Sequence, residues 1–290
     1  GRPCSCRTIA GGGQGKGEVG VKIAKIDTIN VKVPFTFGQA AGGVPARTGA
    51  TNNILMVKVQ TDTGITGWGD AFCYNCTDAV KGAIHSMVAP LAIGRDARDI
   101  SKLSRDLQQE LHLFGRYGIT MFALSGLDIA LWDIAGKAAN LPLHRLLGGA
   151  GQASLPAYAS LLKYKDPERV AARTKLAIQQ GYRHIKLHET EVDEVRAARE
   201  AAGSDVKIMV DTNCPWTPEQ AHEMTLKLRP YDMHWLEEPI FPPEDFQAIA
   251  RLRAGTGVAM AAGENNCTSF QFREMFAAGA VDYAQPSVTK

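Results

Sequence analysis

The chain has 290 residues, a formal net charge of +2, 45% hydrophobic and 21% charged residues. That is enough chain for a large core in a soluble globular protein. Lys and Arg are spread without basic runs, which argues against nucleic acid or an anionic membrane as a partner.

Six cysteines, Cys4, Cys6, Cys73, Cys76, Cys214 and Cys267, are scattered along the chain rather than packed as in a small disulfide scaffold, and imply a reducing, cytoplasmic setting. "CYNC" at 73–76 has the spacing of half a zinc or redox site, but no second pair follows, so it reads as two ordinary thiols. No unbroken apolar run approaches the ~20 residues that span a bilayer, and no charged start precedes an apolar stretch.

Residues 1–20 end in a glycine-rich stretch expected to be a flexible tail. "GGGQGKG" fails as a phosphate loop, because Ala10 stands where Gly is needed and Gly17 where Ser or Thr is needed. From 21 to 72 the pattern is strand-like, "VKIAKIDTINVKV", "NILMVKVQTDTG" and "ITGWGDAF", with Thr63-Gly64 as hairpin turn chemistry. Helical patterns follow. "TDAVKGAIHSMVAPL" opens on Thr77 as its expected cap, then comes "DISKLSRDLQQELHLF". The longest, "ITMFALSGLDIALWDIAGKAANLPLHRLLGG", is apolar nearly all round and predicted to lie between layers.

After Gly151 strands alternate with helices. The strand-like runs are "SLPAYASL", "HIKLH", "VKIMVDTN", "HWLEEP", "VAMAAGEN" and "VDYAQPS", and several intervening helices open on Asp or Thr and close on Gly. Such βα units build a parallel sheet. Polar residues end several strands in succession, as at a barrel mouth, whereas a doubly wound sheet would gather them at one switch point. The expected fold class is α/β, an incomplete (β/α)8-type barrel (146–290) behind an α+β domain (21–145).

Two cationic side chains, Lys186 and His188, share one face of "HIKLH", with Ile185 and Leu187 on the other. Asp211, Glu237 and Glu264 stand at the ends of the next three strands. Adjacent parallel strands lie roughly 4.8 Å apart, so these carboxylates can converge on one ion. An all-oxygen set favours Mg²⁺ over zinc. Alternation lets only one residue of "LEEP" face the ion; Glu237 is assigned and Glu238 is the alternative. Beside a bound metal, His188 is a candidate base for removing a proton from carbon, and Lys186 a candidate partner for a substrate carboxylate. The Lys186 charge is expected to keep His188 neutral.

With "TDTGITGWGDAF", "GLDIALWDIAGKAANLPLHRLLGG", "IKLH", "VDTN", "LEEP", "GEN" and "QPSVTK" in this order, the chain resembles the mandelate racemase and muconate lactonizing enzyme branch of the enolase superfamily over roughly residues 21–290. The resemblance implies an α+β capping domain over a modified barrel, Mg²⁺ held by Asp211, Glu237 and Glu264, and a Lys or His base acting through an enediolate. Lys186 matches the first Lys of the family's Lys-x-Lys motif, and His188 replaces the second. Lys290 matches an acid or base of some members. Asn213 matches a position that touches substrate or supports the site, and Arg47 and Tyr74 fall in candidate lid regions. Ser287 stands where racemase-like members carry Asp, which argues against a His-Asp dyad.

The implied substrate is a small-molecule carboxylate, most plausibly a sugar acid undergoing dehydration, with racemisation, epimerisation and cycloisomerisation as alternatives. A noncatalytic, degenerate relative is the competing reading. Two strands short of a closed barrel, the chain is expected to be a fragment of a longer enzyme, homo-oligomeric at full length.

Overall fold

The computed structural model describes residues 21–35, 50–149, 151–152 and 154–290. The glycine-rich tail (1–20), Cys4, Cys6 and the candidate lid segment 36–49 with Arg47 lie outside the described residues.

The first sheet follows from alternation. Strands β1 (Ile23–Phe35), β2 (Ala50–Thr61) and β3 (Thr66–Ala71) pair antiparallel in chain order. Gly64, at φ +87, makes the β2–β3 turn, and the Thr61 amide donates to the Ile65 carbonyl at 2.9 Å. Leu55, Val57 and Val59 lie on one face of β2 and are fully buried.

That face carries α4 (Gly118–Ala139), which also buries Met121, Leu124, Leu127, Leu131 and Ile134. Helix and sheet touch backbone to backbone. A Cβ on Gly69 would lie 1.9 Å from the Gly126 carbonyl oxygen, and one on Gly67 2.1 Å from that of Ala130. Gly69→Ala is therefore expected to lower stability by about 1–3 kcal/mol or more, as overpacking does. An unchanged urea midpoint would show that α4 does not sit this close.

At 22 residues, α4 is long and apolar enough to cross a membrane by length and composition, and half of that stretch is buried inside the protein. The sequence scan for unbroken apolar runs passes over it because Asp128, Asp133 and Lys137 interrupt the run. Its composition is accounted for by the sheet beneath it.

The other helices depart from expectation in detail. Thr77 is the first residue of α1 (Thr77–Ala83) rather than its cap; its hydroxyl donates to the Cys73 carbonyl at 3.4 Å. A π-turn over Ile84–Val88 separates α1 from α2 (Ala89–Ala92). Asp99 caps α3 (Ile100–Glu110) by accepting from the Lys102 amide. The single long helix expected through "LLGG" ends instead at Asn140, in left-handed conformation at φ 51, and α5 (Leu143–Leu146) starts after Pro142.

The second half alternates as predicted: β4 (Ala159–Ser160), α6 (Pro167–Gln179), β5 (His184–Leu187), α7 (Val192–Ala202), β6 (Lys207–Asp211), α8 (Pro218–Leu228), β7 (Met233–Glu237), α9 (Phe246–Thr256), β8 (Met260–Ala262), α10 (Ser269–Ala277) and β9 (Tyr283–Ala284). Asp166, Thr217, Asp245 and Thr268 cap their helices through side-chain hydrogen bonds, while Glu191 before α7 makes none. All six strands are parallel and lie in chain order, without the reversal of a doubly wound sheet, so the order is that of a barrel. Ile185, Leu187, Ile208 and Val210 face the helices and form a second core with Val170, Val195, Leu236 and Ile249. The alternate residues of β5 and β6 face the other way.

Candidate active site

Register delivers four candidate side chains to one end of the sheet. Lys186 pairs with Met209, and Asp211 with Glu237, so the side chains at the carboxyl ends of β5, β6 and β7 meet. The Lys186 ammonium donates to Asp211 Oδ2 at 2.8 Å and to Glu237 Oε1 at 2.9 Å. All three side chains are at most 10% exposed. His188 Nε2 lies 3.3 Å from Asp211 Oδ2, and its Nδ1 bonds the Leu161 carbonyl. The shared face expected of Lys186 and His188 is therefore present, and Asp211 is what both reach.

Burial opposes ionisation of Asp211, yet the hydrogen bonds from His188 and Lys186 outweigh it and hold the carboxyl down at about 2. Burial and the Asp211 charge push Glu237 up. One expectation is reversed at His188. The hydrogen bond to Asp211 raises the imidazole above its ordinary 6.5, outweighing both burial and the Lys186 charge that was expected to keep it neutral. Asp211 wins because it touches the ring, while Lys186 is already engaged with two carboxylates.

The choice within "LEEP" separates by direction. Glu237 faces Lys186 and also accepts from the Trp235 indole at 3.0 Å. Glu238, at φ 46, accepts from the Asn265 side chain at 2.9 Å and stays within the field of Glu264, Asp211 and Glu237. Burial first, then the charges of Glu264 and Asp211, raise Glu238 to about 7. The Cys214 thiol, pushed up to about 12 by burial and by Glu238, Asp211 and Glu264, is a poor nucleophile.

Glu264, the third carboxylate, stays off the Lys186 contact. Its Oε1 lies 3.4 Å from the Lys290 ammonium, which also sits 4.6 Å above the Phe72 ring. The Phe72 amide donates to the Thr289 carbonyl at 3.2 Å, joining the end of β3 to the segment after β9. Among the described residues, no three His, Cys, Asp or Glu side chains stand close enough to hold a metal ion. The donor chemistry nevertheless suits a hard divalent cation: two buried carboxylates already grip one positive charge, and a third shares their field.

Asn213, exposed at φ 54, donates its amide to Asp211 Oδ1 at 3.1 Å and so supports that carboxylate from the backbone. Tyr74 is 73% exposed on the turn after β3. Sequence reasoning passed over Trp235, Tyr158 (whose ring lies 5.9 Å from the Lys186 ammonium) and Glu189. Trp235 stands two residues before Glu237, and strand alternation could have found it. Cys73, Cys76, Cys214 and Cys267 are free thiols.

Comparison with known proteins follows this geometry. Residues 29–148 match the mandelate racemase / muconate lactonizing enzyme N-terminal domain, and residues 169–290 the enolase C-terminal domain-like family. The chain is 34% identical over 244 residues to the arabinonate dehydratase of Saccharolobus solfataricus, covering 81% of this chain and 65% of that protein. It is 32% identical to the 3,6-anhydro-alpha-L-galactonate cycloisomerase of Streptomyces coelicolor, covering 81% of this chain and 67% of that protein. The fold aligns with a racemase from Streptomyces coelicolor A3(2) with bound magnesium at a TM-score of 0.82 and 30% identity, covering 92% of this chain and 76% of that one. The chain thus spans about two thirds of the length of these curated relatives. With both domain families matched in order on a barrel-type sheet, the chain belongs to the mandelate racemase and muconate lactonizing enzyme branch of the enolase superfamily.

Proposed function

We propose that this protein removes the proton α to the carboxylate of a sugar acid and, through an enediolate, expels a β-hydroxyl as water. The observation that carries the reading is the meeting of Lys186, His188, Asp211 and Glu237 at the carboxyl ends of adjacent parallel strands. In this reading Asp211, Glu237 and Glu264 would hold Mg²⁺. A bound Mg²⁺ supplies positive charge beside the substrate carboxylate, which lowers the cost of the negative charge that grows as the proton leaves.

The chain's own residues do the rest. His188 takes the α-proton at Nε2, and the electron pair of the broken C–H bond enters the enediolate. Lys186 is a buried cation at the same point and offsets carboxylate charge. Lys290, held beside Glu264 and over Phe72, donates a proton to the hydroxyl as the enediolate electrons expel it, releasing water. Asn213, Tyr74 and Arg47, the last outside the described residues, are proposed to contact substrate.

Cycloisomerisation is the second reading, supported by the cycloisomerase among the relatives and by Ser287 in place of an acidic partner. Both reactions begin with the same proton abstraction. The test is to incubate the chain with Mg²⁺ and either arabinonate or 3,6-anhydro-galactonate in deuterated water, and to follow the α-position and products by NMR. Dehydration predicts Mg²⁺-dependent loss of the α-proton and a 2-keto-3-deoxy acid from arabinonate. A rearranged product without loss of water supports cycloisomerisation. No reaction and no α-exchange with any sugar acid tested would overturn both.

A further inference from the structure

Glu189 is a buried carboxylate that the proposed reaction does not use. It follows His188 just after β5 and is only 2% exposed. Its hydrogen bonds come from backbone: Oε1 accepts from the Tyr164 amide at 2.6 Å, and Oε2 from the Lys165 amide at 3.2 Å. Both amides belong to the loop between β4 and α6, where Lys165 adopts φ 55.

The same loop controls the His188 ring. Its first residue, Leu161, is pinned by its amide donating to the Lys186 carbonyl at 2.8 Å, and the Leu161 carbonyl bonds His188 Nδ1. A carbonyl oxygen can only accept, so Nδ1 must carry the hydrogen. The other nitrogen, Nε2, faces Asp211, so the ring stands between two acceptors and the Leu161 carbonyl fixes its Nδ1–H side. Consecutive residues just after β5 thus hold two points of one six-residue loop, His188 at Leu161 and Glu189 at Tyr164 and Lys165.

Loop ordering alone does not call for a buried carboxylate. Glu189 is desolvated, and the neighbouring Glu194 carboxylate, itself buried with Oε2 unpartnered, repels it, while Lys163 offsets part of this. Keeping a charge there is costly unless the two amides need acceptors of that strength.

We propose that Glu189 is a positioning residue: by gripping the Tyr164 and Lys165 amides, it holds the loop so that the Leu161 carbonyl fixes His188 with Nδ1 protonated and Nε2 toward the mouth. The proposal rests on His188 being the base, and its test reads the ring without substrate. Protein labelled with ¹⁵N-histidine is studied by NMR at one fixed pH for all variants. The wild type is expected to show the Nδ1-protonated form of His188 and slow hydrogen exchange at the Tyr164 and Lys165 amides.

In Glu189→Gln the side-chain NH₂ faces an amide donor. Lys165 exchange is expected to accelerate at least tenfold, and the His188 Nδ1–H signal to shift and broaden as its bond to the Leu161 carbonyl loosens. Glu189→Asp, which keeps the charge, is expected to restore part of both signals. With an active substrate, kcat should fall about tenfold in Glu189→Gln with KM unchanged, the pattern of a misplaced base. A wild-type His188 ring with no hydrogen on Nδ1 overturns the proposal even if no variant folds. So does an unchanged His188 signal in a folded Glu189→Gln. Loss of α-exchange in every form, with the ring behaving as expected, would sink the proposed reaction and leave the role of Glu189 standing.

Discussion

His188→Asn is expected to lower Mg²⁺-dependent α-proton exchange by on the order of 10²- to 10⁴-fold, the usual contribution of a positioned general base. Asparagine keeps a polar side chain at the end of β5 but offers no basic nitrogen at the mouth. Mg²⁺ affinity, read by direct titration, should change little, because the three proposed ligands remain.

The wild-type pH profile carries a second signature. The exchange rate should rise with pH as the imidazole loses its proton and becomes a base; in the metal-free protein, where the Asp211 hydrogen bond raises His188 above 6.5, NMR titration of the ring should give a midpoint above the ordinary value. In His188→Asn that ascending limb should disappear. Exchange at the wild-type rate would move the base elsewhere, with Lys290 the next candidate.

The sign of that shift was not legible from the sequence, and the reason is instructive. Lys186 and His188 are neighbours along the chain, so their mutual repulsion can be anticipated from spacing alone. Asp211 comes 23 residues after His188, and whether it touches the ring depends on how β5 registers with β6. Periodicity located both strands and placed Lys186, His188, Asp211 and Glu237 at matching ends, because alternation in a buried strand admits few charged positions. It could not say that Lys186 would take up two carboxylates and leave His188 only Asp211.

The same limit applies to Glu189. A carboxylate after a strand commonly begins the next helix, and nothing in "HET" distinguishes one that turns back to bind a preceding loop. In the first half, the antiparallel meander was legible from alternation and Thr63-Gly64. The break of the long helix at Asn140 was marked by Pro142, but apolar residues on both sides masked it. The close seat of α4 on β3 was written in Gly67, Gly69 and Gly126, whose spacing has meaning only once the partner backbone is in place.

Lys186→Met should separate structural from metal-dependent roles of the carboxylate site. The ammonium is the cation that Asp211 and Glu237 share, with side chains only 10%, 2% and 3% exposed, respectively. Methionine has nearly the same length and no charge. Removing one partner of a buried ion pair leaves uncompensated charge and typically costs about 3–5 kcal/mol, so the unfolding free energy extrapolated from urea denaturation at neutral pH should fall by that much.

The pH dependence follows in sign. Without the ammonium the two carboxylates repel, so at least one has a higher pKa folded than unfolded. The penalty is full above that raised folded pKa and is relieved as pH falls toward the ordinary carboxylate range, where the fold takes up a proton. The gap between variant and wild type should therefore narrow under acid. Millimolar Mg²⁺ should narrow it at neutral pH as well, because carboxylates freed from the lysine bind the ion more tightly than the engaged wild-type pair and the tighter-binding folded state gains more by mass action. Equal stability of the two proteins at neutral pH would mean that Lys186 does not compensate this pair. A deficit that acid relieves and Mg²⁺ does not would keep the ion pair and remove the magnesium site.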